Sequence, residues 1–123
     1  MTNIFKLLLL IVFVQTSFSQ SYDVNLISKK SELNLSFEPK MRGIESNSII
    51  YYIEKDFQTL SAYENGKLKW QTNIISVCGK PSVGKSEIRV VKPKTDKLFI
   101  VFGKHSFAEV DISNGKTTFW GSD

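Results

Sequence analysis

The stretch TLSAYENGKLKW, residues 59 to 70, sets the fold class. Asn65-Gly66 lies between two segments of alternating polarity, and Asn-Gly is the preferred pair for a two-residue hairpin turn with positive φ at both central positions. An antiparallel hairpin is therefore expected here. A second stretch, FAEVDISNGKTTFW (107 to 120), runs in the same way from an apolar strand through a polar residue to Asn114-Gly115-Lys116 and on to Trp120. It predicts a second hairpin of the same kind.

Outward from these hairpins the chain reads as strand after strand. YDVNLI (22 to 27), LNLSFE (33 to 38), SIIYYIE (48 to 54), FQTLSAY (57 to 63), KLKWQTNIISVC (67 to 78), EIRVVK (87 to 92), KLFIVFG (97 to 103), FAEVDIS (107 to 113) and KTTFW (116 to 120) are rich in β-branched and aromatic residues. Several alternate with the two-residue period of a sheet that has one wet face. No long helical stripe interrupts them. The 9 Phe, 4 Tyr and 2 Trp suit a core built between pleated faces.

Gly66 and Gly115 are 49 positions apart, a period in the range of propeller blades. Ala62, Gly66, Lys67 and Trp70 resemble the inner hairpin of blades in the quinoprotein-like (PQQ-type) β-propellers, with their alanine-rich strand, acidic position, Gly-Lys turn and tryptophan. Val110, Asp111, Gly115, Lys116 and Trp120 match in the second copy, with Phe119 as one extra residue ahead of the tryptophan. SIIYYIE and KLFIVFG resemble the strand that enters each blade. The resemblance covers roughly residues 48 to 120, material for about two blades, whereas a closed propeller needs 4 to 8. No cofactor residue of that family carries over. The expected fold is all-β, an antiparallel meander of about eight or nine short strands, as a small sandwich or barrel or as two propeller-blade-like units. In that family the tryptophans pack between neighbouring blades, so Trp70 and Trp120 are expected in the core rather than beside a contact surface.

The N-terminus has the layout of a secretory signal peptide: Lys6, the apolar run Leu7 to Val14, then the polar segment QTSFSQ. The run is far shorter than the roughly 20 residues of a membrane-spanning helix. Ser17 and Ser19 place the cut before Gln20, giving a leader at 1–19 and a single all-β domain at 20–123. The SFSQ ending resembles leaders of the Flavobacterium group. This implies an exported protein of the periplasm, the outer-membrane surface or the medium, with no membrane-spanning segment after cleavage. The remaining 104 residues suffice for one core. They carry 15 Lys and Arg against 12 Asp and Glu, an excess of +3. Cys78, the lone cysteine, cannot form an intramolecular disulfide, so stability rests on packing.

GKPSVGKS (79 to 86) matches the phosphate-loop pattern G-x-x-x-x-G-K-[ST] at every fixed position. Such a loop works by leaving a buried parallel strand and entering a helix, so that backbone N–H groups and the helix N-terminus converge on the phosphates. IISVC would serve as the strand, but EIRVVKP suits another strand, and Pro93 would break a helix. The motif is read as a turn-rich loop and the nucleotide-hydrolase reading is set aside.

From Lys80 to Lys104 there are seven basic residues against Glu87 and Asp96. Lys80, Lys85, Arg89, Lys92, Lys94 and Lys97 are the candidate contacts for an acidic partner: an envelope protein, an anionic glycan or lipid headgroups. Export and the absence of a recognised fold signature argue against nucleic acid. Catalytic and metal-binding sets are sparse, since His105 and Cys78 are each single in the chain. Neither a catalytic set, a cofactor nor a metal is assigned. The expected function is a non-enzymatic binding or assembly module of the bacterial envelope, able to form an oligomer. The alternative is a small secreted carbohydrate hydrolase using Glu54 with Asp56 or Glu109 with Asp111.

Overall fold

A computed structural model describes residues 22–123, so the expected leader lies outside the described residues. Ten strands form two five-stranded sheets that do not close into a barrel, a small sandwich in architecture. In chain order they are β1 (Ile27–Ser28), β2 (Leu33–Asn34), β3 (Gly43–Ser46), β4 (Ile49–Ile53), β5 (Thr59–Glu64), β6 (Lys67–Asn73), β7 (Ile88–Pro93), β8 (Lys97–Phe102), β9 (Ser106–Asp111) and β10 (Thr117–Ser122). Each sheet is built on a four-stranded antiparallel meander, β3 to β6 or β7 to β10, in which every strand pairs with its neighbour in sequence. The N-terminal segment then lends one short strand to each. β1 pairs in parallel with β3, and β2 pairs antiparallel with β7.

One apolar cluster unites the two sheets. It includes Ile44, Tyr51, Ile53 and Leu60 from the first, Val91, Leu98, Ile100 and Phe102 from the second, and fully buried Leu33 from the N-terminal segment. The outer face of the first meander is not left wet. Tyr22 lays its ring against Tyr52 and Tyr63, with centroids 6.0 and 4.8 Å apart.

Local side-chain bonds redraw several expected strands. Asn73 ends β6 because its Oδ1 accepts the N–H of Ser76 at 2.9 Å, so IISVC winds into a short helix, α1 (Ile74–Cys78). Ile74 and Ile75 are both buried, a pairing of adjacent residues that a helix permits and a half-wet strand does not. At the N-terminus, Asp23 accepts from the N–H of Asn25 and Asn34 from that of Ser36, each at 2.9 Å. These turns replace most of the two strands expected there with a 3-10 turn (Val24–Leu26) and two-residue β1 and β2. Conversely, β3 was not foreseen. Its hairpin to β4 is turned by Asn47-Ser48, with φ +50° and +66°, where the usual second residue is glycine.

The two repeat hairpins also differ. Asn65 and Gly66 both take positive φ, +54° and +76°, as expected for a two-residue turn. At the second site only Gly115 does, because the longer loop Ile112 to Gly115 is closed by the Gly115 N–H on the Asp111 carbonyl at 2.8 Å. Trp70 is buried, and its Nε1–H donates to the Ile112 carbonyl at 2.7 Å. The Thr72 hydroxyl donates to the Gly115 carbonyl at 2.8 Å, so the first repeat's outgoing strand docks on the second repeat's turn. Trp120, expected in the core, is instead 65% exposed. The extra residue in the second copy puts Phe119 opposite buried Ala108 and against Phe102, and leaves Trp120 in a bulge between Phe119 and Gly121.

Candidate functional site: a basic cleft beside the loop 79 to 87

The phosphate-loop pattern sits between α1 and β7, an antiparallel strand, and no helix follows Ser86. Its second glycine serves chain packing. A Cβ on Gly84 would stand 2.6 Å from the Lys104 nitrogen, and the N–H of Lys104 is spent on the Val83 carbonyl at 2.9 Å. The loop is thus laced to the β8–β9 turn, with the Gly103 N–H on the Glu87 carbonyl at 2.9 Å. The loop's carbonyls at Val83 and Glu87 accept from the β8–β9 turn, and no helix N-terminus follows to converge on a phosphate.

Beside this loop is a cleft of about 530 Å³, within the usual range for small-ligand sites. Four parts of the chain meet there: Leu35, Ser36 and Pro39 after β2, Phe57 in the β4–β5 turn, Gly84-Lys85 with Glu87 to Arg89, and Gly103-Lys104. Phe57 holds φ +59°, a conformation that costs a bulky residue free energy. Its surroundings offset the strain: the Phe57 carbonyl accepts the N–H of Ile88 at 2.7 Å, joining the two sheets at the cleft. Behind the ring the Arg42 guanidinium lies 3.9 Å from its centroid and donates to the Ile53 and Glu54 carbonyls. Arg42 therefore backs the cleft with positive charge.

Three cations line the cleft. Arg89 is structurally committed, donating from Nε to the Gly103 carbonyl (3.2 Å) and from Nη2 to the Lys104 carbonyl (3.0 Å). Lys85 and Lys104 are exposed, and among the described residues their ammonium groups have neither a hydrogen bond nor an ion pair. Against these stands Glu87. Of the six candidate contacts, the cleft gathers Lys85 and Arg89. Lys80, Lys92, Lys94 and Lys97 lie outside it. Lys97 pairs with Asp111 at 3.2 Å, and Lys94 stands 5.6 Å from the centroid of the Phe99 ring. Lys104 completes the set. It falls inside the basic segment, but a linear segment carries no signal that its last member folds back beside Lys85; nor does sequence mark Phe57 or Arg42. The chain matches no family model, no curated protein and no solved structure.

Of the carboxylates considered for sugar cleavage, Asp56 and Asp111 cap turns, Glu54 accepts the Tyr63 hydroxyl at 3.0 Å, and Glu109 lies within β9. Burial pushes the Asp56 carboxyl up, but the N–H groups of Gln58 and Thr59 and the Thr59 hydroxyl together hold it below its ordinary value. Asp111 accepts from the Ser113 hydroxyl (2.6 Å), the Ser113 N–H (2.9 Å) and Lys97, which hold its carboxyl at about 2. Both directions oppose the raised value a proton-donating acid requires. Asp111 also makes stability depend on pH. Its folded value lies below the ordinary 3.8, so its contribution is complete above that range and is lost as pH falls toward 2. In acid titrations followed by thermal melting, Asp111→Asn is expected to remove that component; an unchanged profile would show that Ser113 and Lys97 do not favour the carboxylate.

Cys78 packs against the core, and burial pushes its thiol up, the reverse of an activated nucleophile. His105 stands exposed in the β8–β9 turn, and no hydrogen bond joins the two among the described residues. Nor does any group of three or more His, Cys, Asp or Glu among them have the geometry to hold a metal ion.

Proposed function

We propose that this chain is an exported, non-enzymatic binding module of a bacterial cell envelope, and that it holds an acidic partner at the cleft. The partner is an envelope protein's acidic face or an anionic glycan. The observation that carries the reading is the placement of two uncommitted ammonium groups, Lys85 and Lys104, with Arg89 around a cleft whose floor includes Leu35, Phe57 and Ile88. An apolar floor lowers the local dielectric, so a carboxylate or sulfate seated there is attracted more strongly than at an open surface. Export rests on the leader-like N-terminus. The two meanders, each antiparallel and in chain order, support reading them as blade-like units. No helix among the described residues is long and apolar enough to cross a membrane.

The test is retention on immobilised polygalacturonate and on an immobilised acidic peptide in low salt. Lys85→Glu with Lys104→Glu is expected to weaken retention roughly tenfold, while Lys92→Glu with Lys94→Glu changes it little. Equal losses from the two pairs would show that diffuse charge, not the cleft, does the holding.

A further inference from the structure

β10 is an edge strand with the short helix α1 packed near it and a bulge between Phe119 and Gly121, but it has neither the shortness nor the charge that keeps the other sheet edges from pairing. The edges β1 and β2 are two residues long, too short to template a strand. The edge β6 carries exposed Lys67 and Lys69, the usual charged protection. β10 runs for six residues, Thr117–Ser122, with no charge among them, and exposes Phe119 and Trp120 at 46% and 65%. Its main-chain phase can be read from β9. The Asp111 N–H donates to the Lys116 carbonyl at 2.8 Å and Thr118 lies opposite Glu109, so antiparallel alternation turns the peptide groups of Thr118 inward and those of Thr117 and Phe119 outward.

The charges that flank this neutral strand have opposite signs, Lys116 before it and Asp123 after it, and both are exposed. Neither side chain has an ion pair among the described residues. When a second β10 runs antiparallel alongside, the Lys116 end of each strand meets the Asp123 end of the other. A two-fold pairing thus satisfies two attractive ends at once, with the same surface on both copies. We infer that two copies of this chain associate through antiparallel pairing of their β10 edges, which joins the two β7–β10 sheets into one continuous sheet and covers Phe119 and Trp120.

The test uses the chain purified after expression with its own leader. Light scattering over a range of concentrations is expected to show a dimer that dissociates on dilution, and hydrogen exchange at the Thr117 and Phe119 amides should slow as the dimer fills. Lys116→Glu is expected to weaken self-association roughly fivefold by placing like charges at both ends, and adding Asp123→Lys should restore it. Because both positions are exposed, each variant is expected to keep the melting behaviour of the monomer. A monomer at every soluble concentration overturns the inference. So does a dimer indifferent to the charge exchange with unprotected β10 amides, which would place the contact elsewhere.

Discussion

Trp70→Ala is expected to cost about 3–5 kcal/mol of stability, and Trp120→Ala, in the dilute monomer, to stay within about 0.5 kcal/mol, although the two tryptophans occupy matching places in a repeated sequence. Trp70 is 8% exposed, stacks obliquely on Tyr51 with centroids 6.2 Å apart, and ties the sheets together by donating to Ile112. Its removal leaves a cavity and an unpaired carbonyl at once. Trp120 projects from a bulge on an edge strand, where truncation opens no cavity. The loss at Trp70 is a large part of the 5–15 kcal/mol usual for a small domain, so Trp70→Phe serves as a milder companion that removes mainly the N–H and is expected to cost about 1–3 kcal/mol. Urea unfolding monitored by far-UV dichroism measures all three. Similar losses at the two tryptophans would mean that the repeat is symmetric in packing after all.

The glycines of the same repeat reverse this order. Gly115→Ala is expected to destabilise by about 2–4 kcal/mol and Gly66→Ala by about 1 kcal/mol. Both hold positive φ, +78° and +76°, so the backbone penalty of a side chain is common to the two. Only at Gly115 would the new Cβ meet atoms, at 2.7 Å from the Trp70 ring and 2.9 Å from the Thr72 hydroxyl, whereas at Gly66 it would enter open space. The difference between the two measured losses is therefore the steric part alone. Should Gly66→Ala prove as costly as Gly115→Ala, the contact between the second turn and the first tryptophan would carry no weight.

These contrasts show what a strand-rich sequence makes legible. Alternation and turn chemistry identify the all-β class and most of the central strands, because those signals act between near neighbours. They also place the Asn65-Gly66 turn correctly. Prediction failed where a single polar side chain acted as a local competitor: Asn73 starts a helix in a run of β-branched residues, and Asn34 stops a strand after two positions. It failed too where one inserted residue changed a face, as at Trp120. The cleft was half visible. Lys85 and Arg89 belong to a conspicuous basic segment, but Arg42, Phe57 and Lys104 reach the site through turns whose positions depend on contacts between the sheets.

The N-terminal segment bears on how far the repeat can be called modular. β1 completes one meander and β2 the other, with Leu33 opposite Val91 deep in the shared core. A unit duplicated from an ancestor of four strands would be expected to stand alone, yet here each half borrows its fifth strand from a stretch of chain that belongs to neither. Excising either half along the loop 79 to 87 would leave the second meander without its edge strand, or the first with an orphaned Leu33. The folding unit is thus the pair of meanders together with its N-terminal strap.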